Sequence, residues 1–449
     1  MWNDLLLKAR HRKTLSMTNY KSDFMRIMDE RGFIHQGSHL DSLDERLCEG
    51  KIHSAYIGFD ATAKSLHIGN LTGIMMLYWF QQTGHKPITL MGGGTSKVGD
   101  PSFKDKQRKL LDDETIEENI EHIKKTCFRQ FLKYGDGETD ALMVNNNDWL
   151  NDLKYLDFLR DYGRFFTINR MISFESVSAR LERESPLTLL EFNYMVMQGY
   201  DFFELNRQYG TILQMGGSDQ WGNIINGVEL TRKYKNFHKG ITEMPDNEGA
   251  YWSGEGPFAL TAPLLTTPDG KKMGKTENGA VWLNADMLSP YDYYQYWRNV
   301  DDVTVPTLLR RFTILPMDEI AKLEALQGAE INEAKKVLAF EATKLCHGER
   351  AATEAAATAQ ATFEQGGVGE DLPEIAPVFD GGQLDLVATV SEGFDVSKRE
   401  ARQRIEQGGV RIDNEKVESF TLPMDSAALD AGVKLSFGKK KHGLLKAPT

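Results

Sequence analysis

Short apolar runs alternate with longer amphipathic segments through the first two thirds of the chain. Four runs rich in apolar and β-branched residues predict strands, at 53–60, 86–91, 141–144 and 211–215. Helical periodicity is clearest at 70–82, which is followed by Gly84, and at 114–133. Strand–helix alternation predicts an α/β fold with a Rossmann-like parallel sheet, and ligands of such sheets bind beyond the carboxyl ends of the strands.

The pattern also divides the chain into domains. We predict a disordered N-terminal extension at 1–22, followed by the alternating, Rossmann-like domain at 23–289. Residues 290–363 are helical in pattern and alanine-rich near their end. A glycine cluster and two prolines mark 364–377 as a linker. Residues 378–449 are then expected to form a small α+β domain.

Composition and charge narrow the classes of protein. The formal net charge of −12 argues against a surface built for non-specific nucleic-acid binding, although it allows a local basic patch. The three cysteines are far apart and form no CxxC pair, which indicates reduced thiols in a cytoplasmic protein and no cysteine metal site. No apolar run is long enough to span a bilayer, so no membrane partner is expected.

Two short motifs carry the candidate chemistry. The segment 67–70 lies between a predicted strand and the following helix, where backbone N–H groups and the helix dipole attract anions. Much later, a glycine-rich turn offers the charges of Lys272 and Lys275 and the hydroxyl of Thr276 to a phosphate leaving group. Taken alone, the first motif also fits a helix-capping histidine and the second a solvated lysine turn.

Other nucleotide motifs are not matched. The segment 94–99 lacks the GK[ST] ending of a P-loop, and the consecutive glycines at 92–94 are not the spaced fingerprint of dinucleotide folds. No carboxylate cluster with metal-ligand spacing is visible in the sequence, so no protein metal site is predicted.

A polar face interrupts an apolar helical segment at 191–201. Tyr194, Gln198 and Asp201 stand at i, i+4 and i+7, which places them on one face of a helix. The face fits either the solvated side of an amphipathic helix or the polar wall of a pocket.

The chain resembles the bacterial tyrosyl-tRNA synthetases, which are class I aminoacyl-tRNA synthetases. The two motifs look like the two nucleotide signatures of that class, with Asn70 replacing the second histidine of HIGH and Gly274 replacing the serine of KMSKS. The resemblance runs through nearly the whole chain, and its other blocks are 56–70, 99–101, 191–201 and 216–223.

The resemblance implies a homodimeric tyrosine–tRNA ligase whose substrates are L-tyrosine, ATP and tRNA, with Mg²⁺ carried by the ATP phosphates. Asp201 and Tyr56 would bind the tyrosine hydroxyl, and Asp100 would help to hold the ammonium group. Gln220 would lie near the reacting carboxylate. The implied tyrosine-binding residues are Tyr56, Asp60, Asp100, Tyr194, Gln198, Asp201, Gln214 and Gln220.

The implied nucleotide site combines both motifs. Thr62 and His67 would bind the γ-phosphate side, and Asp219 a ribose hydroxyl. The implied ATP-binding residues are Gly58, Thr62, His67, Gly69, Asn70, Gly217, Asp219 and Lys275. The implied catalytic residues are His67, Asn70, Lys272, Lys275 and Thr276, to which Lys104 and Arg108 add charge from a neighbouring loop.

The carboxyl-terminal region resembles the small RNA-binding module named after a ribosomal protein. Its helical pattern from 397 carries clustered positive charges, which would contact RNA phosphates. The expected RNA-binding residues are Lys398, Arg399, Arg402 and Arg404. A solvated basic helix is the alternative.

Three other functions remain open at this point. A tryptophanyl enzyme shares the motifs, but the polar pair of Tyr56 and Asp201 speaks against it. An RNA-binding protein on an inactive scaffold would not need Asp100, Gln198, Asp219 and both loop lysines. A nucleotidyltransferase would need neither the helical domain nor the basic C-terminal region.

Overall fold

The structure, a computed structural model, describes residues 19–100, 111–241, 256–276, 279–363, 372–413, 415–424, 429, 432–438 and 441–446. Within these ranges no helix combines the length and apolarity needed to cross a membrane. The strands, in chain order, are β1 Gln36–Gly37, β2 Ser54–Phe59, β3 Lys86–Met91, β4 Leu142–Asn145, β5 Leu213–Gly217, β6 Phe258–Ala262, β7 Lys275–Thr276, β8 Gly279–Ala280, β9 Glu374–Ile375, β10 Phe379–Asp380, β11 Gln383–Asp385, β12 Val410–Ile412, β13 Glu415–Lys416, β14 Thr421–Leu422, β15 Val433–Phe437 and β16 Lys441–Leu445.

The helices complete the architecture. They are α1 Asp23–Glu30, α2 Leu40–Leu47, α3 Ile68–Gln82, α4 Asp113–Thr126, α5 Asn147–Leu150, α6 Tyr155–Asp161, α7 Ile168–Ile172, α8 Glu175–Glu182, α9 Leu189–Tyr209, α10 Trp221–His238, α11 Pro290–Arg298, α12 Val305–Phe312, α13 Met317–Glu324, α14 Ile331–His347, α15 Glu349–Phe363, α16 Leu386–Gly393 and α17 Lys398–Glu406.

A six-stranded sheet in the order β1-β6-β5-β2-β3-β4 forms the centre of the first unit. Five of its strands are parallel, and only β1 pairs antiparallel, at the edge beside β6. The predicted α/β fold with a parallel sheet is therefore confirmed. The two-residue strand β1 was missed because so short a segment carries no periodicity.

The predicted strands match closely, whereas one predicted helix is too long. Strand β3 has the predicted bounds, and β5 begins two residues later than predicted. The helix predicted at 114–133 ends at Thr126. Beyond it, the amides of Phe131 and Leu132 both donate to the carbonyl of Phe128, closing a separate turn. All three apolar side chains of this turn are buried, so its apolar spacing continued the helical pattern without continuing the helix.

Helix α9 is placed by its capping residues and by close packing on α10. Thr188 and Glu191 form a reciprocal capping box at its N-terminus, and buried Arg180 donates to Glu191 at 3.0 Å. Where α9 crosses α10, a Cβ on Gly227 would lie only 2.8 Å from the side chain of Phe202. The backbones therefore approach closely, and the polar face of α9 is held in place.

The chain folds as two compact units. One comprises the described residues of Met1–Gly274 and Val303–Ala325, and the other those of Lys275–Asp302 and Leu326–Thr449. Val303–Ala325 falls inside the predicted helical domain yet packs with the first unit, where buried Arg31 donates to the carbonyls of Thr313 and Leu315 at 2.9 and 2.7 Å. The predicted domain boundaries stay predictions.

The second unit contains helices followed by small sheets. Helices α11, α14 and α15 pack against one another. A five-stranded sheet, β13-β12-β15-β16-β9, and a three-stranded sheet, β10-β11-β14, accompany α16 and α17. Strand β9 lies within the predicted linker and pairs parallel with β16. The predicted small α+β domain at the carboxyl end is confirmed as a fold.

Candidate active site

Three strand ends bring polar segments to one edge of the first unit's sheet. Asp60 and Thr62 follow β2, the triple glycine at 92–94 follows β3, and Asp219 follows β5. Because these strands are parallel, their carboxyl ends meet at the same edge. Gly58, in β2, and Gly217, which ends β5, belong to the same strand ends. These polar segments therefore share one edge of the sheet, where the sequence predicts the site.

His67 caps the helix that follows β2. Its ring Nδ1 accepts the N–H of Gly69 at 3.0 Å, and Asn70 Oδ1 accepts the N–H of His67 at 3.1 Å, which completes a capping box. The neutral ring therefore carries its proton on Nε2, the nitrogen that points away from the cap. The helix cap is confirmed, and it orients the Nε2–H donor; phosphate binding by this donor stays a prediction.

The lysine turn packs against this helix start. Thr266 and Lys272 form an antiparallel bridge, and the N–H of Met273 donates to Leu265 at 2.8 Å. Gly274 has a φ of +107°, and a Cβ built on it would lie 3.4 Å from the backbone nitrogen of Gly69. The two sequence motifs are thus in contact.

The first lysine of the turn already has an anionic partner. Lys272 Nζ lies 2.8 Å from Asp219 Oδ2. The Lys272 side chain is half exposed, so this is a surface pair of small energy, on the order of 1 kcal/mol or less. The backbones of Lys275 and Thr276 form β7, while their side chains lie outside the described part of the chain.

The polar face of α9 is largely buried. Tyr194 is 7% exposed and its hydroxyl donates to Asp60 Oδ2 at 2.9 Å. Asp201 is 2% exposed, and Gln198 accepts an N–H from Asn223 at 3.0 Å. Residues with this burial are not the solvated side of an amphipathic helix, so that alternative is wrong.

Among the buried polar atoms without a hydrogen-bond partner in the described residues, two lie on neighbouring strands of the sheet, and the charge of Asp201 acts on one of them. They are the hydroxyl of Tyr56 and Oε1 of Gln214, in side chains that are 0% and 1% exposed. Tyr56 and Gln214 are register partners on the neighbouring strands β2 and β5. Since buried polar groups are nearly always satisfied, these two atoms point to a polar ligand.

The carboxylate of Asp201 is fixed by residues that the sequence did not single out. Trp149 Nε1 donates to Oδ1 at 2.8 Å, and Asn146 Nδ2 donates to Oδ2 at 2.9 Å. Asn146 Nδ2 also contacts Thr95 Oγ1 at 3.1 Å, and Thr95 donates to Asp60 at 2.9 Å. The asparagine run directly after β4 was the available signal, because it ends at the same sheet edge.

A second group of hydrogen-bonded side chains lies next to α9. Gln220 Nε2 donates to Asp100 Oδ2 at 2.9 Å, and Asn223 Nδ2 donates to both Gln198 and Gln220, at 3.0 and 3.2 Å. The predicted substrate residues Asp100, Gln198 and Gln220 are therefore joined through Asn223, whereas Asp60, Tyr194 and Asp201 belong to the first group of hydrogen bonds. Lys104 and Arg108 lie outside the described residues.

The carboxyl-terminal basic residues divide between two positions on α17. Lys398, Arg399 and Arg402 line one surface groove. Arg404 instead lies over the ring of Phe437, with its guanidinium carbon 5.5 Å from the ring centroid. The predicted cluster of four is thus three residues on one face and one on another.

Comparisons with known proteins agree with this geometry. The family model described as tRNA synthetases class I (W and Y) matches residues 50–364, and the S4 domain model matches 384–422. The tyrosine–tRNA ligase of Zymomonas mobilis is 54% identical over 431 residues, covering 96% of this chain and 100% of the relative. That of Brucella abortus is 53% identical over 436 residues, with the same coverage. The chain belongs to the bacterial tyrosyl-tRNA synthetases.

Solved tyrosyl-tRNA synthetase structures share the fold. The C-terminally truncated mitochondrial enzyme of Aspergillus nidulans superposes with a TM-score of 0.66 at 30% identity, covering 81% of this chain and 100% of that one. The corresponding enzyme of Coccidioides posadasii gives 0.63 at 31% identity, covering 79% and 98%. These values show the same architecture as in other tyrosyl-tRNA synthetases.

Burial sets the electrostatics of the synthetase pocket. Desolvation raises the pKa of Asp201 to about 7, opposed by its hydrogen bonds from Asn146 and Trp149 and assisted by the negative charge of Asp60. Desolvation also raises the pKa of the Tyr56 phenol well above its ordinary value. Tyr56 is therefore a neutral donor and acceptor at physiological pH.

Tyr56→Phe should separate stability from substrate binding in this synthetase. Removing a buried hydroxyl that has no partner is expected to stabilise the ligand-free protein by about 1 kcal/mol. Tyrosine should nevertheless bind about three- to tenfold more weakly, since one hydrogen bond is lost. Urea unfolding and tyrosine titration measure the two effects.

Tyr200→Phe is the matched control, because the Tyr200 hydroxyl donates to Glu204 at 2.7 Å. That variant should be destabilised, by about 1–3 kcal/mol, with a carboxylate left short of a partner. If both tyrosine variants lose stability, the Tyr56 hydroxyl has a partner in the free protein.

Gly274→Ala should slow the synthetase at its chemical step. A residue with a side chain at φ +107° is strained by about 1–3 kcal/mol, and the new methyl group would occupy the helix start at Gly69. We expect tyrosyl-adenylate formation to fall about tenfold or more, as measured by rapid quench. Gly270→Ala is the control, since Gly270 also has positive φ, +83°, but nothing lies within 4 Å of its Cβ position. An equal loss in both variants would mean that strain alone, and not the contact with the helix, matters.

Proposed function

We propose that this tyrosine–tRNA ligase recognises its amino acid through the buried pair Tyr56 and Asp201. Tyrosine–tRNA ligation is the activity of the family, and ATP, tyrosine and tRNA are its substrates. The observation that carries the assignment is the unpartnered Tyr56 hydroxyl beside a carboxylate that is itself held by two donors. A phenol hydroxyl donates to Asp201 and accepts from Tyr56, whereas a phenylalanine ring would leave both unpaired.

The other end of the pocket is suited to an ammonium group. Asp60, Asp100 and the Tyr194 hydroxyl supply negative charge and acceptors, and Gln198 lies on the same helix face. Gln220 donates to Asp100, and we assign its amide to the carboxylate end of the amino acid. Tyrosine would therefore span from Asp201 to Asp100.

The first chemical step is assigned to groups that bind and orient ATP. The tyrosine carboxylate attacks the α-phosphorus in line, a new C–O–P bond forms, and the bond to pyrophosphate breaks. His67 Nε2–H, Thr62, Asn70 and the lysine turn would bind the phosphates as charge develops on the leaving group. In the second step a terminal tRNA ribose hydroxyl attacks the tyrosyl carbonyl and AMP leaves. No protein nucleophile is required.

Magnesium is assigned to the nucleotide and not to the protein. Within the described ranges, no group of three His, Cys, Asp or Glu residues is arranged to hold a metal ion. Asp219, which follows β5, is paired with Lys272 at 2.8 Å. We infer that Mg²⁺ arrives on the ATP phosphates, and the pyrophosphate-exchange rate as a function of Mg²⁺ at fixed ATP tests this.

ATP–pyrophosphate exchange with each amino acid in turn tests the amino-acid assignment. Exchange is expected with tyrosine and not with tryptophan or phenylalanine. Exchange driven by tryptophan, or none with any amino acid, would contradict the assigned pocket.

Removing positive charges from α17 should weaken tRNA binding and leave the rate of amino-acid activation unchanged. The double variant Lys398→Gln, Arg399→Gln removes two cations from one face, so the slope of log affinity against log salt should become shallower by about 2. Pyrophosphate exchange should be unchanged. Arg404→Gln, on the other face, is the matched control and should change the slope less. Unaltered tRNA affinity in the double variant would remove this face from the RNA-binding surface.

A homodimer and a cytoplasmic location complete the proposal. Large apolar side chains are exposed between α6 and the start of α9, including Leu156 at 77%, Ile168 at 61% and Leu189 at 72%. Such a surface fits a second copy of the chain. A monomeric mass in sedimentation equilibrium would exclude the dimer.

The three cysteines are free, as expected in a reducing compartment, and cell fractionation tests the location.

A further inference from the structure

A surface groove on the carboxyl-terminal unit has more than a basic character. It is lined by Lys398, Arg399, Arg402, Gln403 and Glu406 of α17 and has a volume of about 520 Å³. That volume falls within the range of roughly 300–1,000 Å³ typical of sites for small organic molecules. A single nucleotide is such a molecule, whereas a smooth basic surface would suffice for phosphates alone.

An aromatic ring stands beside the groove. Phe420 is 38% exposed, and the guanidinium carbon of Arg402 lies 5.8 Å from its ring centroid. The carbonyl of Phe420 accepts the N–H of Leu386 at 2.9 Å, which ties this residue to the three-stranded sheet. Aromatic rings and guanidinium planes are the two surfaces on which unpaired bases stack in RNA-binding proteins.

Glu406 indicates that the groove receives a base as well as phosphates. Its carboxylate lies among three cations in the same groove and would repel a phosphate oxygen. It can accept a hydrogen bond from the exocyclic amino group of adenine, cytosine or guanine. Uracil has no such donor. Gln403 offers both a donor and an acceptor to a base edge.

We propose that this groove binds one unpaired nucleotide of the tRNA, with its base stacked on the Phe420–Arg402 pair and its amino group on Glu406. The cations Lys398 and Arg399 then hold the adjoining phosphates. The inference rests on the proposed function, because it takes tRNA as the partner of the carboxyl-terminal unit. It adds a base-reading site to a surface otherwise assigned to phosphate contacts.

Phe420→Leu in the full-length protein tests the stacking. Leucine keeps the apolar bulk and removes the ring, so tRNA affinity is expected to fall about five- to a hundredfold. The salt dependence should stay as in the unaltered protein, because no charge is lost. Phe420→Tyr retains a ring and should restore binding. Phe379→Leu is the matched control, since Phe379 is 45% exposed and lies in strand β10 of the three-stranded sheet, whereas the ring over which Arg402 lies is that of Phe420.

The results separate this inference from the proposed function. Unchanged tRNA affinity in Phe420→Leu, or an equal loss in Phe379→Leu, would overturn the stacking. If the Lys398, Arg399 double variant also binds tRNA normally, the RNA-binding face itself is wrong. If only the double variant is impaired, the face stands and the nucleotide site does not. Pyrophosphate exchange in every variant confirms that the catalytic unit is intact.

Short single-stranded oligonucleotides test the role of Glu406. Oligoadenylate should compete with tRNA better than oligouridylate of equal length, because only adenine carries the amino donor. Glu406→Gln should narrow that difference, since the amide can also donate to uracil. Equal competition by the two oligonucleotides against the unaltered protein would overturn the base-reading part of the proposal.

Discussion

Replacing His67 by asparagine is expected to slow tyrosyl-adenylate formation by about a hundred- to a thousandfold while leaving thermal stability nearly unchanged. Asparagine is among the best helix N-caps, so it can take over the acceptor role that Nδ1 performs toward Gly69. It cannot reproduce the Nε2–H donor assigned to the ATP phosphates. The effect should therefore fall on the rate constant of the chemical step and little on the dissociation constants of tyrosine and ATP. Rapid-quench measurement of adenylate formation separates these quantities.

His67→Ala is the companion variant, because it loses both the cap and the donor. It should react as slowly as His67→Asn but unfold more readily, by about 1 kcal/mol. If His67→Asn were as active as the unaltered enzyme, the histidine would be a capping residue without a catalytic role. If both variants bound ATP much more weakly at an unchanged rate, ground-state binding would be its function.

Asp201→Asn is expected to remove most of the preference for tyrosine over phenylalanine. A hydrogen bond to a charged group contributes about 1.5–3 kcal/mol, so tyrosine should bind about ten- to a hundredfold more weakly. The affinity for phenylalanine should stay unchanged, because phenylalanine has no hydroxyl that could pair with the carboxylate. The side-chain amide would also present an N–H to either Asn146 or Trp149, both of which donate. Pyrophosphate exchange driven by each amino acid measures the change in preference.

Tyrosine affinity and protein stability should depend on pH in opposite directions, because both respond to the ionisation of Asp201. Since burial raises the pKa of Asp201 to about 7, the carboxylate is largely protonated at lower pH, and tyrosine affinity should increase as the pH rises from about 6 to 8. The same raised pKa means that the folded state binds this proton more tightly than the unfolded state does. Its contribution to stability is therefore full below about pH 4 and is lost as the pH rises through about 7. In Asp201→Asn, both tyrosine affinity and stability should vary less with pH.

Glu204→Gln is the control for Asp201→Asn. Glu204 is buried one turn further along α9 and accepts from Tyr200 and Arg207, outside the pocket wall. Its substitution should lower stability without altering the choice of amino acid. A comparable loss of preference in Glu204→Gln would mean that the preference depends on the integrity of α9 and not on the carboxylate at 201.

Much of this synthetase was predictable from sequence because its elements carry strong local signals. The parallel strands alternate with helices of regular period, and the spacing of Tyr194, Gln198 and Asp201 predicts one helix face. The segment 67–70 is predicted to attract anions at a helix start, with a capping histidine as the alternative, and the structure shows the cap. Local patterns of this kind depend on neighbours in sequence only.

The residues that were missed act through long-range contacts. Asn146 and Trp149 are more than fifty residues from the carboxylate that they hold, and Thr95 is 35 residues from Asp60. Their polar character has no periodicity that would indicate a partner. The end of α4 was misplaced for a related reason, since Phe128, in the turn after the helix, packs against Phe59 of β2 at a ring-centroid distance of 5.0 Å.

The pairing of Lys272 with Asp219 links the two ends of the nucleotide. If the ribose takes Asp219, as assigned, the lysine loses its counter-ion and is left with the phosphates as its best remaining partner. Ribose and triphosphate recognition are then thermodynamically coupled, and by reciprocity each strengthens the other by the same factor. Because the Lys272 side chain is half exposed, its charge stays solvated when the pair breaks, so the coupling is limited to about 1 kcal/mol, or about fivefold in affinity.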